Sequence, residues 1–569
     1  MVTGFHLAVC KNWSVGRDQG VRVGWVWPMQ ALPSENVGYG SLSSVTTTSA
    51  TLDRRTAPAD RRWPVPVVAA VAQLMLVLDA TIVNIALPSA QQALGFSNSD
   101  RQWVVTAYAL SFGSLLLVGG RLGDMFSRKW VFITGLVGFA IASAIGGAAG
   151  SFVVLVTARA LQGAFGAILA PAALGALVST FNDPRERGRA FGVFGSVASG
   201  GGALGLILGG VLTEYLSWRW CLYVNLAFAA IAVVGALAYI RGGRPAGSPR
   251  MDWPGAALAC AAPFAIVFGF SQAATAGWTA ALTLGSLGGG LVLLAGFVVA
   301  ERRVRHPLLP LRVIVDRARG GAYVAVGISG MALFGTLLFL TFYLQVVKGN
   351  SPLTTGLLFL PMIGSILISS NLSSNIGLGP RALIAAGMLL GAGGLVLLTQ
   401  VTVTSSYVSD VLPGLLILGL GFGLIFAQAI NTATAGVARE DSGVASALVN
   451  TMQQVGGSIG TSALSTIALS ATATYLIEHD TSPLVMAIAA THGYTIAFGV
   501  SAGLLGLGFI LTIVLLPSRR RLADLRDAGA STPAAPGTPT AAAAPAQPQA
   551  SEAIPVALCS CSPVITRVA

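Results

Sequence analysis

Asp79 and Arg159 are ionisable side chains inside runs that are otherwise apolar. Asp79 sits in Leu78-Asp79-Ala80-Thr81-Ile82-Val83-Asn84-Ile85-Ala86-Leu87-Pro88, and Arg159 has Gln162 three residues further on. A charged group at the centre of a bilayer helix costs about 2.5–3.5 kcal/mol on insertion scales, which marks such a position as functional. A carboxyl group held there can take up or release a proton, and a neighbouring cation shifts the balance towards the charged form. At about 1.5 Å per residue, both groups lie roughly 10–14 Å below the same surface, so a direct pair, or one bridged by water or Gln162, is expected. A proton on Asp79 would then free Arg159 and bias the packing of the helices. The bland alternative is a fixed ion pair that only specifies packing.

Three further groups of residues could act around this pair. The stretch Gly120-Arg121-Leu122-Gly123-Asp124-Met125-Phe126-Ser127-Arg128-Lys129 is a tight charged turn. It suits a place where helices stay docked on one side and let go on the other, with Asp124 able to accept from a helix N-terminus or an Arg. Arg128 and Lys129 also serve plain membrane topology. Gly201, Gly205 and Gly209 recur at intervals of four, which lets helices approach closely. Asn84, Gln162, Phe342, Gln345, Gln428 and Asn431 supply the mix of apolar and hydrogen-bonding groups that lines small-molecule cavities. No Lys-Ser/Thr follows the glycines, so they form no nucleotide loop. Of the five Cys, Cys221 and Cys260 lie in apolar runs and Cys559 and Cys561 in the tail without nearby His, so neither a metal site nor another cofactor is expected. No nucleophile–base set appears, and an enzyme is not expected.

The elements that hold these groups are membrane helices. Only 9% of the residues are charged and 54% are hydrophobic, and the apolar residues come in blocks of bilayer length. About fourteen spans follow: 65–88, 103–121, 130–150, 152–178, 188–213, 221–240, 253–273, 280–300, 321–346, 354–374, 381–400, 411–435, 443–470 and 494–516. The net charge of +12 lies in short loops rather than on a basic face, so nucleic acid is not an expected partner. With both termini cytoplasmic, only Arg101, Arg219 and Lys348 among the basic residues near span ends fall outside. Gly188, Ala190, Gly201, Gly202 and Gly205 recur as Gly443, Ala445, Gly456, Gly457 and Gly460, each set after an Arg-Glu loop. The repeat implies two six-helix bundles separated by two extra helices. The expected divisions are 1–63 (disordered extension), 64–245 (first bundle), 246–304 (extra helices), 305–517 (second bundle) and 518–569 (disordered Ala/Pro/Thr-rich tail).

These segments together resemble the fourteen-span drug:proton antiporter branch of the major facilitator superfamily, the EmrB/QacA-type exporters. The resemblance covers roughly residues 65–517. It rests on Leu78 to Pro88, Gly120 to Lys129, Arg159-x-x-Gln162-Gly163, Gly201 to Gly210 followed by Trp218-Arg219-Trp220 and Asn225, and Gly443-x-Ala445-Ser446 through Gly456-Gly457. It implies an all-α polytopic protein with the major facilitator fold and an alternating-access exporter of the plasma membrane, expected as a monomer. Asp79 and Arg159 would couple protons to the export of a hydrophobic small molecule, and Asp124 would belong to a cytoplasmic gate. One charge crossing 100 mV is worth about 2.3 kcal/mol, enough for a roughly fifty-fold gradient of a neutral substrate. Met125, Ser127 and Leu206 depart from the family pattern, and Leu206 removes a proline expected to kink its helix. No acid occurs in the later spans, so divalent cationic drugs are not expected as substrates. A dedicated exporter of one endogenous metabolite is the alternative, with a passive channel behind it.

Overall fold

The computed structural model describes residues 63–517, apart from 182, 241, 243–250, 305–306, 374, 436, 438–440 and 480–481. The two terminal segments expected to be disordered lie outside the described residues.

Helix starts follow from the local sequence. Ser151, Asp183, Asp252, Asp316, Ser351 and Ser482 each accept a backbone N–H of the first turn of the helix they begin, and a proline follows at once or within two residues in four of these. The first six helices are α1 Pro64–Leu94, α2 Arg101–Met125, α3 Arg128–Gly147, α4 Phe152–Thr180, α5 Pro184–Tyr215 and α6 Trp220–Tyr239. Then come α7 Trp253–Ala276, α8 Ala281–Arg303 and the short α9 Leu311–Val315. The last set is α10 Arg317–Phe342, α11 Pro352–Leu358, α12 Leu360–Leu372, α13 Pro380–Leu398, α14 Leu412–Thr434, α15 Ser442–Ile477 and α16 Pro483–Leu515. One π turn, Tyr343–Val347, extends α10, and another, Tyr407–Val411, leads into α14. A break at Phe359, just before Leu360-Pro361, splits one expected span into α11 and α12.

Among the described residues, thirteen helical segments are long and apolar enough to cross a membrane by length and composition, one fewer than the sequence led us to expect. The missing one is α15, whose 36 residues are long enough but rich in hydroxyls. Ser458, Thr461, Thr466, Thr472 and Thr474 each donate to the carbonyl four residues back. Thr451, Ser462 and Ser465 of this helix are buried without a hydrogen-bond partner, and a helix whose other hydroxyls bond back in this way can lie among other helices instead of facing lipid. It does so, packing on α10, α16, α2 and α7.

The pairing of helices repeats. In the first bundle α1 packs on α5 and α6, α4 on α2 and α3, and α3 on α6. In the second, α10 packs on α15 and α16, α14 on α12 and α13, and α13 on α16. The bundles meet reciprocally, α2 against α15 and α5 against α11 and α12, while α7 and α8 pair with each other and α7 leans on α2 and α15. The face where α1 begins and α16 ends is termed the terminal face, and its opposite the far face.

Candidate functional site

The site is built on α1 and seated by α5. A Cβ at Gly205 would collide with Thr81 Oγ1 and approach Leu78 O to 3.1 Å, and one at Gly209 would lie 2.9 Å from Ile82. At Gly201 the neighbours are Val77 and Leu74, 3.1–3.3 Å away. The three glycines thus hold α5 against the α1 residues that flank Asp79, and any side chain there would lift the two helices apart. Between them Leu206, 1% exposed, has its carbonyl against Gly356 of α11. No proline interrupts α5, which runs unbroken from Pro184 to Tyr215.

Asp79 and Arg159 meet. Arg159 Nη1 donates to Asp79 Oδ2 at 2.6 Å and to Gln162 Oε1 at 2.8 Å, while Arg159 Nε donates to the Val104 carbonyl at 3.2 Å. Asp79 Oδ1 accepts from Gln162 Nε2 at 3.0 Å and from Asn225 Nδ2 at 2.8 Å. Gln162 Nε2 also donates to Ser143 Oγ at 2.6 Å, and the guanidinium lies 4.4 Å from the centre of the Tyr108 ring. The side chains of the pair are 0% and 2% exposed. Removing two charges from water costs several kcal/mol per ion, and only a full set of partners offsets that. Each oxygen of Asp79 has one or two donors, drawn from α4 and α6. Sequence reasoning did not assign Tyr108 or Ser143 to the site. Asn225 it met only as part of a motif.

Beside the network lies a small cavity lined by Ala80, Val83, Asn84, Val105, Tyr108, Ala109 and Arg159 on the first bundle and by Phe334 and Gln454 on the second. Of the expected cavity residues, Asn84 is there, with Nδ2 bound to Ala80 O at 3.0 Å and Oδ1 without a partner. Gln162 sits in the network behind the cavity's Arg159 wall, and the remaining four do not line the cavity. Gln345 Nε2 donates to Ile85 O at 3.0 Å, across the bundle interface. Phe342 lies under the Arg101 guanidinium at 4.2 Å. Gln428 is tied to Ser373 Oγ at 3.1 Å, and Asn431 is exposed.

The far face is held by polar contacts between the bundles. Arg101, 3% exposed, donates to the Tyr494 hydroxyl at 3.3 Å and faces the rings of Phe342 and Tyr494. Glu214 Oε2 accepts from Leu353 N at 3.0 Å. At the terminal face Arg128 and Lys129 of the charged turn grip their own bundle. Lys129 Nζ donates to Leu237 O at 2.8 Å and Arg128 Nη1 reaches Gly175 O at 3.5 Å. Gly120 has open space around its Cα. Asp124 lies in the last turn of α2, and its side chain is outside the described residues. Arg219 Nη1 donates to Gly147 O and Ala149 O at 2.8 and 2.6 Å, capping α3.

Residues 69–461 match the Major Facilitator Superfamily. The chain is 46% identical over 486 residues to the puromycin resistance protein pur8 of Streptomyces alboniger, covering 84% of this chain and 96% of that one. It is 38% identical over 415 residues to the cephamycin export protein CmcT of Amycolatopsis lactamdurans, covering 71% and 85%. Over 413 residues it is 34% identical to the tetracenomycin C resistance and export protein of Streptomyces glaucescens, covering 72% and 76%. Among solved structures, an inward-facing bacterial homologue of the human lysosomal transporter Spinster aligns with a TM-score of 0.59 at 14% identity, over 80% of this chain and 98% of that one. That likeness concerns the fold.

Proposed function

The chain belongs to the major facilitator superfamily, and on that premise we propose that it is a proton-coupled exporter of small hydrophobic antibiotics. It is a multi-pass membrane transporter rather than an enzyme. The observation that carries the finer reading is the buried network in which Arg159, Gln162 and Asn225 converge on Asp79. A carboxylate so placed binds a proton only if it gives up the ion pair with Arg159, so protonation and the packing of α1 on α4 change together. The cavity beside it is walled by charge on one bundle and by Phe334 and Gln454 on the other, so a substrate that parts Tyr108 from Phe334 acts on the same helices as the proton. Alternating access then consists of the two bundles rocking about that cavity. In this reading the terminal face is cytoplasmic, the membrane is the plasma membrane and the monomer suffices.

Relatives named for puromycin, cephamycin and tetracenomycin C make puromycin the first substrate to test here. Purified protein in liposomes with an imposed pH gradient should move puromycin, or a lipophilic fluorescent dye, against its gradient while the pH gradient lasts. Asp79→Asn should bind the substrate and fail to concentrate it. Normal pumping by Asp79→Asn would leave the acid a structural role only. Transport of puromycin without the dye would favour a dedicated exporter over a polyspecific one.

A further inference from the structure

A second pair of acids is buried far from Asp79 in the fold, where the α7–α8 hairpin meets the terminal face. Asp252 caps α7, its Oδ1 accepting from Gly255 N at 2.9 Å. Glu301, in the last turn of α8, accepts from Leu309 N through Oε2 at 3.0 Å. The two residues are 6% and 4% exposed, and in each the remaining oxygen, Asp252 Oδ2 and Glu301 Oε1, is buried without a hydrogen-bond partner. Both of these oxygens flank one point. A Cβ on Gly255 would collide with Asp252 Oδ2 and stand 2.9 Å from Glu301 Oε1.

We propose that Asp252 and Glu301 form a second proton-binding site, holding one proton between Asp252 Oδ2 and Glu301 Oε1. Two ionised carboxylates facing each other out of water repel, and each leaves an acceptor unsatisfied. One proton taken from the adjoining water forms an O–H on one carboxyl and donates to the oxygen of the other. Both free oxygens are thereby satisfied and the net charge of the pair falls from two negatives to one. A metal ion fits poorly, because a hard cation needs about six oxygens and only two are free.

The charged groups around the pair define what the proton would report to. Arg121, at the α2 end of the charged turn, lies within electrostatic reach of Glu301 and donates Nη2 to the Pro307 carbonyl at 2.6 Å. Arg302 and Arg303 are exposed on α8. Arg312 of α9 is engaged at 2.8 Å by Asp441 at the start of α15. α7 carries no other charge, and Asp124, Arg305 and His306 are outside the described side chains. Arg121 is therefore the described cation that balances the one charge remaining on the pair. The inserted hairpin is in this way linked through a titratable contact to the turn that closes α2 and to the linker entering the second bundle. The proposal is independent of what the protein transports.

The test uses full-length protein carrying Asp79→Asn, so that the first acid is silent. Infrared spectra at neutral pH should show the carbonyl band of a protonated carboxylic acid, and adding Glu301→Gln should remove it. If no such band exists in the Asp79→Asn protein at neutral pH, the proposal is overturned whatever the variants do. A folded state that holds a proton the unfolded chain releases loses stability as pH rises. The melting temperature of the Asp79→Asn protein should therefore fall through neutral pH, and the fall should vanish in Asp79→Asn/Glu301→Gln, whose amide keeps its hydrogens. Equal slopes in the two proteins would also overturn the proposal. Asp252→Asn, which can still cap α7, repeats the comparison should Glu301→Gln fold poorly.

Discussion

The displacement that carries Gly188 onto Gly443 also carries Asp79 of α1 onto Phe334 of α10. The two halves share their helix pairing but differ at this position. The first bundle buries a carboxylate at mid-helix with three side-chain donors around it. The second places an aromatic ring there, and its two described ion pairs, Arg312–Asp441 and Arg319–Asp316, lie at the terminal face. Duplicated architecture thus carries charge in the middle of one half and an aromatic ring beside the same cavity in the other. Under the exchange proposed above, proton and substrate would act on the same cavity from opposite sides.

Breaking the charged half should have the largest effect. Arg159→Ala takes away the ion-pair partner of the buried Asp79 and leaves it only the amides of Gln162 and Asn225, a loss of about 3–5 kcal/mol. The expected result is a sharp fall in melting temperature in detergent, together with loss of transport. Asp79→Asn/Arg159→Gln removes both charges and should recover most of the stability and none of the transport. If the double variant melts as low as Arg159→Ala, the network serves packing in some other way.

The glycines sharpen the comparison. Gly202 has open space where a Cβ would go, whereas at its counterpart Gly457 the Cβ would strike the Phe334 ring. Gly202→Ala should be silent. Gly457→Ala should push Phe334 towards the cavity, raise the substrate concentration needed for half-maximal transport several-fold and cost about 1–3 kcal/mol of stability. Gly205→Val, which strikes the α1 backbone beside Asp79, should cost about 1–3 kcal/mol and abolish transport. Equal behaviour of Gly202→Ala and Gly457→Ala would remove the functional contrast between the halves.

Arg101 tests the seam between them. Replacing it by Ala removes contacts with two aromatic rings of the second bundle, each worth about 0.5–2 kcal/mol when desolvated. The far face should loosen. Cys221 is buried and lines a cavity with Val83, Arg159 and Trp218, so its alkylation rate reports the loosening. In a chain whose other cysteines are replaced by serine, Arg101→Ala should speed that reaction several-fold, and Arg101→Lys, lacking the planar cation, should fall between. An unchanged rate would mean that the seal does not depend on Arg101.

The membrane helices, the repeat and the Asp79–Arg159 depth match were legible because apolar blocks, glycine spacing and isolated charges are local signals. The hydroxyl-rich α15 was legible as a helix, but its Ser and Thr keep it out of the set apolar enough to span by composition. Other features depend on which helix faces which. Tyr108 and Ser143 resemble any residue of an apolar span until α2 and α3 are set beside α4. Arg101 reads as a loop cation until Phe342 and Tyr494 fold over it. Glu301 lies one residue beyond the expected end of its span, so a search for acids inside spans passes it by, and only the tertiary fold brings Asp252 to it.

The smallest effect is expected where the second bundle keeps charge at its rim. Asp316 caps α10 by accepting from Arg319 N at 3.0 Å and pairs with the Arg319 guanidinium at 3.3 Å. Partial burial pushes its carboxyl up, but the hydrogen bonds and charge of Arg319 together outweigh that and hold it below the ordinary range. A group lowered on folding contributes stability that is present above its unfolded value and is lost as pH falls through its folded value. The Asp316 contribution should thus be constant from neutral pH down to about pH 5 and disappear below about pH 4. With the side chain largely in solvent, cap and pair together should be worth about 1 kcal/mol or less. Asp316→Ala should lower the melting temperature slightly at neutral pH, and its difference from wild type should close in acid. A loss as large as that from Arg159→Ala would mean that rim charges hold this protein together as firmly as the buried pair, and the contrast between the halves would fall.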